Sequence, residues 1–204
     1  MKTKQCQVLV IGAGPGGYVS AIRSAQLGLK TIIVEGERAG GTCLIRGCIP
    51  SKALIHAAHT FHNLAKHAKK DGHMGISIPS PAELNMANLV GWKEGIVDRL
   101  NKGVEALLKN AGAELITGWA TFEDAKTVKI GEGKDATLIQ AEHVIMAQGS
   151  VPIELPFMPY NDHVISSRNA LLLEELPEHV VIVGGGYIGL ELGITFRMLG
   201  SKVT

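Results

Sequence analysis

A strand, a glycine turn and a helix follow one another within the first 27 residues, and that succession leaves few folds open. Val8-Leu9-Val10-Ile11 is wholly apolar, as a strand buried on both faces reads. Gly12 to Gly17 interrupts it. Tyr18 to Leu27 then has helical spacing, with Val19, Ile22 and Leu27 on one face, and stops at Gly28. Thr31-Ile32-Ile33-Val34-Glu35 is the next strand. Strand, helix and strand at this separation form a βαβ unit whose strands pair in parallel. Inside the turn, Gly12-x-Gly14-x-x-Gly17 fits a dinucleotide fingerprint: Gly12 for the tight turn, Gly14 for close approach of a diphosphate, Gly17 for helix–sheet packing. The helix start offers N–H groups and a positive dipole end to the diphosphate. Glu35, ending the second strand, can accept hydrogen bonds from both hydroxyls of a ribose.

The pattern recurs. His179 to Val183 reads as a strand, Gly184-x-Gly186-x-x-Gly189 as a second fingerprint, and Tyr187 to Leu199 as a helix ending at Gly200. The acid that would confirm this copy lies beyond Thr204, so a plain strand–helix turn stays open beside a second dinucleotide. Lys202-Val203-Thr204 begins another strand, and the expectation is that the chain stops inside a domain. Two such units imply electrons passed between two dinucleotides.

Between the copies, Ser51 to Lys70 and Trp92 to Asn110 have helical spacing, and Gly72 to Val90, with Pro79 and Pro81, reads as a loop. Leu115 to Phe122, Thr127 to Ile130 and Thr137 to Met146 are spaced as an antiparallel meander. The proline-marked stretch after it is a connection, which divides the chain into 1–150, 151–178 and 179–204.

Charge and composition narrow the function classes. Lys and Arg number 20 against 19 Asp and Glu, so no net field favours nucleic acid or an acidic membrane. Aromatic residues at 4% leave little for base-stacking platforms of the single-strand binders. No apolar run approaches the ~18 residues of a membrane span, and none at the amino terminus is long enough for a signal peptide. The expectation is a cytoplasmic protein. Three cysteines are too few for a disulfide-stapled scaffold.

Cys43 and Cys48, five apart in Gly41-Thr42-Cys43-Leu44-Ile45-Arg46-Gly47-Cys48-Ile49-Pro50-Ser51-Lys52, point to redox chemistry. On a regular helix such Cα atoms stand about 8–9 Å apart, whereas a disulfide needs less than about 7 Å. A bridge here requires distorted backbone, which Gly47 and Pro50 permit. Zinc is the competing reading, but the pair lacks a second ligand pair, and His56, His59, His62 and His67 drift round their helix; no metal is expected. Lys52 stands one turn from Cys48, where a cation favours the thiolate or steadies charge on a reduced flavin, and where a plain surface lysine fits too. Cys6, beside the first strand, reads as an inert thiol.

Gly12-Ala-Gly-Pro15-Gly-Gly17, Glu35, Gly41-Thr42-Cys43 to Cys48-Ile-Pro-Ser-Lys52 and Gly184-Gly-Gly186-Tyr187-Ile188-Gly189-Leu-Glu191 together resemble the flavin-dependent pyridine nucleotide-disulfide oxidoreductases. The Cys-Ile-Pro-Ser-Lys form and Leu44 are most similar to the dihydrolipoamide dehydrogenase branch; glutathione and mercuric reductases are near relatives. The resemblance covers the whole chain but only about the first half of a typical member. It implies an α/β fold: a Rossmann-like FAD-binding domain with a parallel sheet plus a β-meander, then the start of a second Rossmann-like domain for NAD. Cys43 would be the interchange thiol and Cys48 the thiolate against the flavin. Lys52 would lie near the flavin in a buried ion pair with Glu191 that bridges the two domains. Ala120, in Gly118-Trp-Ala-Thr-Phe122, matches a backbone contact to adenine, and Gly149-Ser150 match the strand end near the flavin diphosphate.

The implied reaction oxidises protein-bound dihydrolipoamide through a Cys43–Cys48 disulfide and FAD to NAD. Its partners would be the lipoyl domain of 2-oxo acid dehydrogenase complexes or of the glycine cleavage system, and the full-length protein a homodimer. The chain departs from the pattern at Gln148, where the family commonly has Thr, and at Ile45-Arg46, where it has Asn-Val. Arg46, if turned toward the thiols, would acidify them. Nothing in the chain matches the family's carboxy-terminal histidine–glutamate base, so weak or absent turnover is expected of these 204 residues alone. A glutathione-reductase-like disulfide reductase and a non-catalytic dinucleotide-binding fragment remain the alternatives.

Overall fold

The computed structural model describes residues 2–68 and 72–204. In chain order the elements are β1 (Lys2–Ile11), α1 (Pro15–Gln26), β2 (Thr31–Glu35), α2 (Gly41–Arg46), α3 (Cys48–His67), α4 (Met86–Ala111), β3 (Glu114–Thr117), β4 (Ala120–Phe122), β5 (Thr127–Ile130), β6 (Thr137–Met146), α5 (Ser167–Ala170), β7 (His179–Val180), α6 (Tyr187–Leu199) and β8 (Lys202–Val203). They fall into two compact units, Met1–Ile45 with Asp98–Val151, and Arg46–Val97 with Pro152–Thr204.

The first unit is an α/β fold around a mixed six-stranded sheet in the order β3-β2-β1-β6-β5-β4. β1 pairs in parallel with β2 on one side and with β6 on the other, and β3 continues the parallel part beyond β2. β5 runs antiparallel to β4 and β6. As expected of a strand covered on both faces, Val8 to Ile11 are all buried. Leu9, Ile11, Ile32, Val34, Val128, Ile130 and Ile139 form the core of one sheet face.

Two expectations need correction here. The run from Leu115 to Phe122 is not one strand of a meander: it breaks at Gly118, whose N–H bonds the Glu35 carbonyl at 2.8 Å with φ +152°. The piece before the break pairs in parallel with β2, so the meander is β4-β5-β6. β1, in turn, begins at Lys2 rather than Val8, because β6 pairs with it from Lys2↔Thr137 to Ile11↔Met146.

The second unit packs α3, the first half of α4, α5 and α6 with a two-stranded parallel sheet, β7-β8. Leu54, Leu171, Leu192 and Phe196 form one cluster; Ala58, Met86, Val90 and Leu199 form the other. α4 starts at Met86, inside the expected loop. The Asn85 side chain accepts the Asn88 N–H at 2.9 Å, a helix cap, and Met86 and Val90 are buried from the first turn on. α3 starts at Cys48 and its described part ends at His67; Lys69 and Lys70, the end of the expected helix, lie outside the described residues. The connection contains the short helix α5.

Candidate functional site

In the first unit the site is built where β1 ends. Gly12 turns the chain with φ +97°, and a Cβ there would run into the Ala147 carbonyl. A Cβ on Gly17 would overlap the Gly12 carbonyl oxygen, so the helix sits on the turn as closely as backbone allows. Gly14 is the N-cap of α1 and Pro15 its first residue, where a missing N–H costs nothing. The first turn carries no acidic residue, and a Cβ at Gly16 would meet nothing within 4 Å. An anion can therefore reach the helix start without side-chain or charge obstruction, and the residues present fit a dinucleotide diphosphate.

Glu35 is already oriented. Its Oε2 accepts the Ala13 N–H at 2.8 Å and its Oε1 the Glu37 N–H at 3.0 Å. Each oxygen keeps a lone pair, so the carboxylate can still take the two hydroxyls of a ribose. The segment after it folds back onto the fingerprint. Gly40 N–H bonds the Ala13 carbonyl at 2.8 Å, and a Cβ on Gly41 (φ +64°) would collide with the Gly14 Cα. Thr42 is exposed on α2 next to this contact. Gly149 (φ +75°) and Ser150 follow β6, both exposed, and Ala120 opens β4 opposite Ile130.

Three residues that the motifs do not mark support this loop. Asn101 on α4, itself buried, donates Nδ2–H to the Ala39 carbonyl at 2.7 Å. Arg38 pairs with Asp98 at 2.6 Å. Trp119 lays its indole against Gly36, where a Cβ would stand 2.8 Å from the ring. Among these, only Asn101 had a readable signal: it occupies a place in the buried stripe Met86, Val90, Val97, Val104, Leu108.

Cys43 is the third residue of α2 and Cys48 the first of α3. Between them the helix is interrupted at Gly47, with φ −138° and ψ −115°, so the expected distortion is confined to the glycine. Pro50 does not cause it; it lies in the first turn of α3, where its lack of an N–H is tolerated. Cys43 is half-buried and Cys48 exposed, and no disulfide joins the three cysteines. Cys6 is buried in the sheet core, and burial pushes its thiol pKa up, partly offset by a hydrogen bond from the Ile32 backbone and by Lys30.

In the second unit Lys52 Nζ meets Glu191 Oε1 at 2.6 Å, joining α3 to α6. The pair is not buried: the side chains are 59% and 36% exposed, because they flank the α3–α6 seam that Leu54, Ala58, Leu192 and Phe196 fill. Both partners belong to this unit. Gly184 (φ +104°) turns the chain, Gly186 is the N-cap of α6, and a Cβ on Gly189 would come within 2.6 Å of the Gly184 oxygen. Tyr187 and Ile188, both exposed, line a cleft of about 850 Å³ together with Gly184, Gly186 and Gly189. Lys93, buried throughout, donates to the Leu171 carbonyl and pairs with Glu94, both at 2.6 Å, and so pins the end of α5. Among the described residues no helix is long and apolar enough to cross a membrane.

Comparison with known proteins agrees with these fingerprints. A family model described as pyridine nucleotide-disulphide oxidoreductase matches residues 6–204. The chain is 49% identical over 197 residues to a dihydrolipoyl dehydrogenase of Pseudomonas aeruginosa, covering 96% of this chain and 42% of that protein. It is 48% identical over 206 residues to dihydrolipoyl dehydrogenase 2 of Haloarcula marismortui, covering 99% and 42%. It thus spans about two fifths of the length of the curated relatives it matches. Among solved structures, the HOCl-induced flavoprotein disulfide reductase RclA of Escherichia coli superposes with a TM-score of 0.79 at 28% identity, covering 97% of this chain and 41% of that one. LpdA of Mycobacterium tuberculosis, at 22% identity, shares the fold with a TM-score of 0.82, covering 97% and 44%. The glycine fingerprints and the cysteine pair all lie within the matched residues, and the chain belongs to the pyridine nucleotide-disulphide oxidoreductase family and is a homologue of the dihydrolipoyl dehydrogenases.

Proposed function

We propose that the chain is the amino-terminal part of a dihydrolipoyl dehydrogenase: a segment 1–150 that binds FAD and carries the redox cysteines, a connection 151–178, and the start of an NAD-binding domain at 179–204. In this reading a dihydrolipoamide dithiol closes to a disulfide while the Cys43–Cys48 disulfide opens, so two electrons and two protons pass from substrate to protein. Cys43 exchanges with the substrate sulfur, Cys48 addresses the flavin side, and Lys52 with Glu191 sets the charge beside it. FAD, when bound, supplies the acceptor that passes the electron pair to NAD. Gly12, Gly14, Pro15 and Gly17, with Gly41, Thr42, Gly149 and Ser150, would hold the FAD diphosphate, Glu35 the ribose and Ala120 the adenine. Gly184, Gly186, Tyr187, Ile188 and Gly189 hold the NAD end. The protein works in the cytoplasm as a homodimer on lipoyl domains of 2-oxo acid dehydrogenase complexes or the glycine cleavage system.

The observation that carries this reading is the helix interruption at Gly47, which falls between the two cysteines. The test is anaerobic. The chain is reconstituted with FAD, oxidised, then treated with dihydrolipoamide, and the state of each cysteine is read by alkylation and mass spectrometry. Cys43 and Cys48 convert together from disulfide to dithiol, and Cys48→Ser abolishes the conversion. Exchange with glutathione but not with dihydrolipoamide assigns the chain to the glutathione-reductase-like alternative. FAD uptake with no exchange assigns it to the non-catalytic, dinucleotide-binding one.

A further inference from the structure

We propose that Trp119 forms an aromatic wall at the adenine end of the first dinucleotide cradle, stacking on the base and selecting adenine nucleotides over FMN; this rests on the assignment of that cradle to FAD. Trp119 follows β3 just past its carboxyl end, beside the carboxyl end of β2, and all these residues lie in the first unit. In open parallel sheets that end of the strands is where ligands sit. Two constraints fix the residue there. Gly118 N–H holds the Glu35 carbonyl at 2.8 Å, and Gly118 takes φ +152°, a conformation that side chains rarely adopt. Gly36, the residue after Glu35, has no side chain, and a Cβ there would stand 2.8 Å from indole Cδ2 and Cε2 and 3.0 Å from Cζ2. Those atoms belong to the six-membered ring, so the indole rests on bare backbone at Gly36.

The residue is nevertheless 73% exposed, which leaves the rest of its aromatic surface in water. The neighbouring chemistry names what covers it. The helix start of α1 takes the diphosphate and Glu35 takes the ribose, so the base on that ribose comes next, where Trp119 stands. Stacking on an aromatic face asks only for a flat π-system, which adenine supplies. FMN has the phosphate but no adenosine, and gains nothing from this contact.

The chain has two tryptophans, Trp92 and Trp119, so Trp92→Phe leaves Trp119 as the sole indole reporter. ADP is the probe, because it does not absorb where tryptophan emits and quenches only through contact, whereas FAD also quenches by energy transfer. We expect saturable quenching by ADP in the Trp92→Phe protein, competed by FAD and not by FMN. Trp119→Ala weakens ADP and FAD binding, read by equilibrium dialysis, about 5- to 100-fold at an unchanged melting temperature. FMN binding does not change, and Trp119→Phe restores most of the affinity. If Trp119→Ala binds ADP and FAD as the parent does, or ADP binds without altering Trp119 emission, the inference is wrong and the FAD assignment stands. If neither ADP nor FAD binds the parent chain, both fall together.

Discussion

Asn101 offers the sharpest check on how the cradle is held. Its amide nitrogen stands 2.7 Å from the Ala39 carbonyl oxygen, and Asn101 and Ala39 are 7% and 2% exposed. Asn101→Leu keeps the branched shape and the number of side-chain heavy atoms and takes the donor away from a carbonyl that water does not reach. An unsatisfied buried acceptor costs about 1–3 kcal/mol. For a chain of this size each kcal/mol moves the melting temperature by about 2–4 °C, so the variant should melt about 2–12 °C lower. Because Gly40, the next residue, bonds the Ala13 carbonyl beside the fingerprint, FAD affinity should fall as well. Asn101→Asp adds a pH signature. Burial and the facing carbonyl raise the folded pKa of the new carboxyl above its unfolded value of about 3.9. Below that value the neutral acid can still donate, and the variant stays near the parent. As pH rises the unfolded state ionises first, so the loss grows until the folded pKa is passed. Melting curves of parent, Leu and Asp proteins between pH 4 and 8 read both effects. A Leu variant within 1 °C of the parent, or an Asp variant with a pH-independent deficit, would refute the reasoning.

Three further outcomes follow from the same geometry. Gly17→Ala sets a methyl group against the Gly12 carbonyl oxygen, which only a backbone shift relieves; we expect a loss of about 1–3 kcal/mol in urea unfolding together with weakened ADP and FAD binding in dialysis. Cys6, whose thiol pKa burial raises, ionises more readily in the unfolded chain, so stability falls as pH climbs past about 8.5. Cys6→Ala should remove that alkaline slope in melting curves, and N-ethylmaleimide should modify Cys6 after Cys43 and Cys48. Lys52→Met breaks an ion pair whose members are largely in water, so the urea midpoint should correspond to a change below about 1 kcal/mol; a larger loss would mean the pair is structural.

The parts of the fold that could be read in advance are those where one residue type has one physical use. Val8 to Ile11 and Ile32 to Val34 are apolar on both faces, and only a covered strand tolerates that. Gly12 and Gly17 stand where any Cβ would meet backbone, and Gly47 interrupts the helix between the cysteines. What could not be read depended on partners distant in the chain. Whether Leu115 to Phe122 was one strand or two turned on the Glu35 carbonyl, some 80 residues earlier, catching Gly118. The start of α4 turned on Asn85 as a cap and on what Met86 packs against, and two nearby prolines masked both. Lys93 and Asn101 hide in plain sight: they continue the buried stripe of α4, but a lysine or asparagine on a helix ordinarily reads as a solvent-facing residue. Lys52 and Glu191 were correctly paired, yet a motif carries no record of how much water surrounds it.

The long parallel pairing of β1 with β6 has a cost in time. Lys2 meets Thr137 and Ile11 meets Met146, so the central strand cannot find its neighbour on that side until some 135 more residues exist. At translation rates of about 5–20 residues per second that is a wait of about 7–27 s, during which a continuous Val-Leu-Val-Ile segment stands ready to pair with any other strand edge. High contact order of this kind makes closure of the sheet slow, and it makes the amino terminus the part of the newborn chain that most needs a chaperone or an early ligand.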